Sequence, residues 1–281
     1  MRLDLPSSLE RECFLSEGQK DERMNLATLN LNGETFFSIN RRPRLPESIF
    51  NIKSIKEKLS NLTQEGLNNV LAKADLDIDI LAVQEFVNSK KERDEIERVI
   101  ENAEYKLMVP ELNGNIHFVT GFIVRKKYID KCTVENGPLV KELANNRKAF
   151  LKFKDDNINF SIFNVHVNNH TITIPDESTI LLGDMNACKS NQISNQKGIH
   201  EEFIKAIEHK YDAVGQEGKY YTWTSNGVEK QLDHIYLSKK YSTNNSNKIS
   251  VDDNVNFYYN PQEGFTDHSM LIWNFGKLQE K

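Results

Sequence analysis

The chain has 281 residues, with 38% hydrophobic residues, 13 glycines and 7 prolines, the composition of an ordinary globular protein with material for a sizeable core. A formal net charge of −5 speaks against a uniformly basic nucleic-acid coat but leaves room for a local basic groove. Three cysteines (Cys13, Cys132, Cys188) form no disulfide ladder or CxxC pair, and no apolar run approaches the roughly 20 residues of a membrane helix, so a soluble, cytoplasmic protein is expected.

Residues 1–23 carry many charges, no apolar period and no secretory signal, and are read as an extension outside the core. Residues 24–281 contain no repeat or linker and are read as one domain. Met24–Gly33 alternates apolar and polar residues, the period of a strand, and closes on the turn signal Asn-Gly. Asn30 and Asn32 point to one side at its end. Residues 34–75 look helical with loops: Ile52, Ile55, Leu59 and Leu62 keep a three-to-four spacing that Leu67, Val70 and Leu71 resume. Ile78–Glu85 is an apolar strand ending on a carboxylate, which is costly to desolvate without a cation or hydrogen-bond donors.

Ser89 and Glu92 form a capping box that opens a charged helix reaching Glu104. Three strands are then expected, Ile116–Arg125, Ala149–Phe153 and Ile158–Val167, with a hairpin turn at Asp155-Asp156-Asn157. Arg147 and Lys148 precede the second of these strands as candidate phosphate contacts, and the third ends by bringing His166, Asn168 and Asn169 to a sheet edge. The apolar run Thr179–Leu182 stops at Gly183 and delivers Asp184 and Asn186 to a strand end. His200–Tyr211 is an amphipathic helix with Phe203, Ile204 and Ile207 on one side. Tyr220–Thr224 and Gln231–Ser238 are β-prone, the latter with Asp233 near its start, and Lys239–Lys248 is a polar loop. Asp267 and His268 precede a terminal strand, Met270–Phe275.

Together the strand ends supply Asn30, Asn32, Glu85, His166, Asp184, Asn186, Asp233, Asp267 and His268. These are hard oxygen ligands, imidazoles and amides with no thiolate, a set that suits magnesium or manganese rather than structural zinc. A histidine supported by a separate carboxylate is an arrangement that orients an imidazole or keeps it protonated.

The ordered series LNLNG, LAVQE, NVHVNN, LLGDMNA, QLDHIY and FTDHS, from about Met24 to Phe275, resembles the endonuclease/exonuclease/phosphatase superfamily, the DNase I-like fold. The resemblance implies an α/β protein, a four-layer α-β-β-α sandwich of two mixed sheets, with a metal-dependent phosphodiesterase site at one end. It implies Glu85 as the main metal ligand beside Asn32 and Asp267, and Asp184 with Asn186 as the pair that orients and deprotonates the attacking water. His268, paired with Asp233, would contact the scissile phosphate; His166 would bind another oxygen or help the leaving group; Asn30 would tie the metal side to the water side. Arg147, Lys148 and Asn169 are the candidate substrate contacts. The expected substrate is nucleic acid, DNA in particular, with a small phosphoester as the alternative and an inactive binding module as the third reading.

The sequence also departs from parts of that superfamily. Asn32 stands where many abasic-site endonucleases carry aspartate and His166 where they carry tyrosine, and no lysine follows Gln84-Glu85. The tryptophan-cysteine-aspartate-arginine signature of inositol polyphosphate phosphatases is absent at Asp233. Residues 34–75 form an enlarged region, and the helix that relatives carry before the LLGDMNA motif is missing between Asn169 and Thr179.

Overall fold

The computed structural model describes residues 23–31, 78–87, 104–112, 116, 118–141, 143–156, 158–190, 197–215, 220–225, 228–243, 249–253, 256 and 266–281. All but Arg23 of the expected extension over residues 1–23, the enlarged region 34–75, nearly all of the helix from Ser89 to Glu104, and Asn32 lie outside them. In chain order the elements are β1 (Met24–Asn30), β2 (Ile80–Val87), β3 (Tyr105–Met108), β4 (Phe118–Arg125), β5 (Cys132–Glu135), β6 (Lys148–Lys154), β7 (Asn159–His166), β8 (Ile180–Asp184), α1 (Glu201–Glu208), β9 (Tyr211–Ala213), β10 (Trp223–Ser225), β11 (Val228–Lys230), β12 (Asp233–Ser238), β13 (Tyr241–Thr243), β14 (Ile249–Asp252), β15 (Met270–Phe275) and β16 (Leu278–Glu280).

Two six-stranded mixed sheets organise these elements, one in the order β14-β15-β1-β2-β4-β3 and the other β5-β6-β7-β8-β12-β9. Each has one parallel pair, β1 with β2 and β7 with β8, among antiparallel neighbours. Alternation along the strands decides which faces meet, because successive side chains point to opposite sides. Leu26, Ile80, Ala82 and Trp273 of the first sheet join Leu151, Ile162, Leu182 and Ile235 of the second in one apolar cluster. The intervening residues turn outward: Leu29, Val83, Phe86 and Ile272 on the first sheet, Phe163, Val165, Leu181 and Tyr236 on the second. On the second sheet this outer face is covered by Phe203, Ile204 and Ile207 of α1, the apolar side predicted for that helix. Each fully buried large side chain contributes roughly 1.5–3 kcal/mol, so the inner cluster fixes the register of every strand that enters it.

Several boundaries differ from the sequence reading by a residue or more, and three of them follow from strand pairing. The helix ends at Glu208, because Tyr211 joins β9 and pairs with Ser238 of β12. The segment expected as a polar loop from Lys239 contains β13, which finds an antiparallel partner in β16. The strand expected to end at Glu85 continues to Val87, with an irregularity at Glu85 described below. Between the parallel neighbours β7 and β8, residues 167–179 run without a helix, as the short spacing suggested. Ile172 and Ile174 bury their side chains in the outer cluster there, and Ile174 and Pro175 accept hydrogen bonds from Lys210 and Tyr211. No helix among the described residues is long and apolar enough to cross a membrane.

Candidate active site

The inner faces that carry the core also carry the polar site, a step further along each strand. Ile180 and Leu182 lie in the shared cluster, and Asp184 is next on that side of β8. His166 follows Ile162 and Asn164 on β7, Asn30 follows Leu26 and Thr28 on β1, and Asp233 precedes Ile235 and Leu237 on β12. Strand register then aligns them: Asp184 pairs with His166 on one side and with Asp233 on the other, so three neighbouring strands present a row.

Asp184 is held from both sheets. Asn30 Nδ2 donates to its Oδ2 at 2.9 Å, and the backbone N–H of Asn186 donates to its Oδ1 at 2.8 Å. The second bond is an Asx turn; it places Asn186 in the left-handed region, φ 46°, which asparagine tolerates better than most residues. Asn186 Nδ2 donates to the carbonyl of Val167 at 3.0 Å, tying the turn back to β7. Gly183, immediately before, has φ +125°, and a Cβ there would lie 2.1 Å from the carbonyl oxygen of Val165. Only glycine fits. Burial, followed by repulsion from Asp233, pushes the Asp184 carboxyl well above the usual carboxylate range, against the pull of His268 and its hydrogen-bond donors.

His268 and Asp233 form a buried pair, Nδ1 donating to Oδ2 at 2.7 Å. Burial opposes charge on the imidazole, but the adjacent Asp233 carboxylate outweighs it and raises the pKa to about 10. Its Nε2 lies 3.9 Å from Asp184 Oδ2 and 3.8 Å from Asp267 Oδ1. Thr222 locks the pair: its hydroxyl accepts the backbone N–H groups of Leu232 and Asp233, and its carbonyl accepts that of Ser269. Thr266 adds a further tie, donating to the carbonyl of Asn30 at 2.7 Å and accepting from the backbone N–H of His268.

On the other side of Asp184, His166 Nε2 lies 3.8 Å from Asp184 Oδ2 and its Nδ1 lies 3.5 Å from Glu85 Oε1. Arg147 Nη1 approaches Nδ1 at 3.0 Å. The same Nη1 lies 3.3 Å from Nε2, so the guanidinium, which can only donate, sits against both ring nitrogens. Burial and the charges of Arg147 and His268 hold the His166 pKa down to about 3, a neutral imidazole. A continuous set of contacts within 4 Å therefore runs from Glu85 through His166, Asp184 and His268 to Asp267.

The carboxylates at its two ends, Glu85 and Asp267, remain 22% and 20% open to solvent, while Asp184 and Asp233 are almost fully enclosed. Trp223 Nε1 donates to Asp267 Oδ2 at 3.0 Å. Asp184, Asp233 and His268 also offer three ligand atoms within 4.8 Å of one another, a spacing that could hold a metal ion. In that trio His268 Nδ1 is already committed to Asp233, which leaves Nε2 as the ring atom facing Asp184.

The sequence therefore named side chains that the structure brings together: Asn30, Glu85, His166, Asp184, Asn186, Asp233, Asp267, His268 and Arg147. Asn169 lies on the connection after β7, where its Oδ1 accepts the N–H and hydroxyl of Thr171 in a local turn. Lys148 is a correction. It is buried and donates to the carbonyl of Pro138 at 2.9 Å, sharing the outer face of the second sheet with Phe150 and Val165 rather than the inner face with His166. The alternation in β6 carries that signal, since Ala149, Leu151 and Phe153 are the residues of the inner cluster. Thr222, Trp223 and Thr266 were not singled out from the sequence, since a threonine or tryptophan in a β-prone run has no feature that marks it as a site residue.

Neither a scan against protein-family models nor a search of curated proteins finds a match. Solved structures do resemble the chain. The endonuclease domain of TRAS1, a telomere-specific non-LTR retrotransposon, is 11% identical, with a TM-score of 0.53 over 91% of this chain and 99% of that one. D. rerio TDP2 complexed with a single-strand DNA product is 13% identical, with a TM-score of 0.55 over 92% and 100%. The AP endonuclease of Leishmania major is 11% identical, with a TM-score of 0.57 over 90% and 88%.

Proposed function

We propose that this chain, which has the DNase I-like fold of the endonuclease/exonuclease/phosphatase superfamily, is a divalent-metal-dependent phosphodiesterase that hydrolyses nucleic acid, DNA in particular. The observation that carries the reading is the continuous contact from Glu85 to Asp267 through His166, Asp184 and His268, which gathers a general base, a charged imidazole and partly open carboxylates at one sheet end. Two of the similar structures are endonucleases by their own descriptions and a third is complexed with a single-strand DNA product, which supports the substrate class. In this reading residues 24–281 are the catalytic domain and 1–23 an extension.

Glu85 and Asp267 offer hard oxygen donors that fit magnesium or manganese, with Asn32 as a further ligand outside the described residues. The ion supplies charge neutralisation and polarisation of the phosphate. Asp184, oriented by Asn30 and Asn186, takes the proton of the attacking water; its raised affinity for a proton suits a general base near neutrality. His268, fixed by Asp233, faces the same oxygen of Asp184 and donates from Nε2 to a phosphate oxygen whose charge grows in the transition state. His166, backed by Arg147 and facing Asp184, is the second such contact to the phosphate.

A panel of plasmid, single-stranded DNA, RNA, abasic duplex and small phosphoesters, each with magnesium or EDTA, tests the assignment. Metal-dependent cleavage of DNA that disappears in Asp184→Ala and His268→Ala is the expected result. Equal cleavage by wild type and both variants would sink it. The net charge of −5 favours a second reading, a small phosphoester as substrate; an affinity that does not fall as salt rises would select it.

A further inference from the structure

We infer that Asn164, a buried residue of the second sheet, is the positioning residue that presents Glu85 to the site; the inference rests on the metal-ligand reading of Glu85. The β2–β4 ladder pairs Val83 with Gly121 and resumes at Phe86 with Val119. Gln84 and Glu85 thus oppose Thr120 alone, a β-bulge. Glu85 takes φ 52° there, a left-handed conformation that costs free energy in a residue with a Cβ and persists only when its surroundings enforce it.

The bulge decides which way Glu85 faces. Val83 and Phe86 both lie in the outer cluster of the first sheet, and both can do so only because one extra residue separates them. In a regular strand Glu85 would share the outward side of Val83 and Phe86 would turn inward. Val83 O and Gly121 O, the carbonyls of the last regular pair before the bulge, accept from Asn164 Nδ2 at 3.2 and 2.8 Å. Asn164 Oδ1 accepts from Gln84 Nε2 at 2.6 Å, and Gln84 also donates to Thr28 Oγ1 at 3.0 Å. One carboxamide from β7 therefore clasps both strands of the bulge and the residue next to Glu85. Its room comes from Gly183, where a Cβ would stand 3.1 Å from Asn164 Oδ1. Deleting this amide would take a donor from two buried carbonyls and an acceptor from Gln84 Nε2 in a dry interior, a cost that the regular, Glu85-outward register relieves.

The test is Mn2+ binding to the full chain, followed by electron paramagnetic resonance of the free ion, for wild type, Asn164→Ala, Asn164→Asp, Glu85→Gln and Ile162→Ala. Asn164→Asp preserves shape and the acceptor but removes both donors, so it serves if the alanine variant does not fold. Ile162 lies on the same face of β7, two residues away, within the apolar cluster. Glu85→Gln should lose Mn2+ binding, and the Asn164 variants should bind about 10–100-fold more weakly, the range for partners that orient a metal ligand. Ile162→Ala should lower Tm at least as far while leaving Mn2+ affinity unchanged. If Glu85→Gln loses binding but Asn164→Asp keeps it, the positioning role is wrong and the metal reading stands. If Glu85→Gln binds as wild type does, the metal reading fails and takes the inference with it.

Discussion

Asn30 Nδ2 and Asp184 Oδ2 are 2.9 Å apart although 154 positions separate them in sequence, and the bond joins the ends of two different sheets. It fixes the carboxylate that we assign as base against a strand that it does not pair with. Asn30→Ala should therefore lower kcat on the order of 10²-fold, the scale of a misplaced catalytic group, with little change in KM. Asp184→Ala should cost 10²–10⁴-fold, about what loss of a general base removes. Single-turnover cleavage of a labelled oligonucleotide separates the two; an Asn30→Ala variant with wild-type kcat would dissociate the bond from the chemistry.

His268 and Asp233 act as a unit in this geometry, because the carboxylate holds both the orientation and the charge of the ring. Their removals should be non-additive. In a cycle of Asp233→Ala, His268→Ala and the double variant, kcat/KM of the double should match His268→Ala alone. Additive losses would mean that Asp233 serves some other partner.

Adjacent basic residues should behave differently. Arg147 reaches His166 at the site, whereas Lys148 is buried on the opposite face of its strand against Pro138. Arg147→Ala should reduce the slope of log affinity against log salt by about 1, the signature of one lost phosphate contact. Lys148→Met should leave that slope intact and change only Tm. Binding isotherms for one oligonucleotide at several salt concentrations decide it.

Burial pushes the Cys132 thiol up to about 12 from its ordinary 9.0. The folded chain thus holds this proton more tightly than the unfolded chain. The stabilisation is present in full below the unfolded pKa and is lost as pH rises from 9 towards 12, at about 1.4 kcal/mol per pH unit at most. Urea midpoints of wild type should fall across that window, and those of Cys132→Ala should fall less. Parallel curves would place the alkaline loss in other groups.

Where the sequence was readable, the reason is that long inner strands repeat one signal. Ile180 and Leu182 lead by alternation to Asp184, and Ile162 leads to His166, so core and site share a period. β15 was legible to the residue, Met270–Phe275, because it is apolar at every position but Asn274. β3, β5 and β14 were not, since each has four residues, lies at a sheet edge and alternates too briefly to register. The inward aim of Glu85 was equally hidden. It depends on a bulge held by Asn164, 79 positions beyond Glu85, and no local pattern encodes such a contact.

The alignment of His166, Asp184 and Asp233 across β7, β8 and β12 has a consequence for quality control in folding. Slipping β8 by one residue would turn Ile180 and Leu182 out of the core in the same movement that turned Asp184 away from its partners. Misregistered chains would pay the cost of exposed apolar surface before any of them could present half a site. The population that survives folding and proteolysis is thereby enriched for molecules whose polar row is complete, without a separate check on that row.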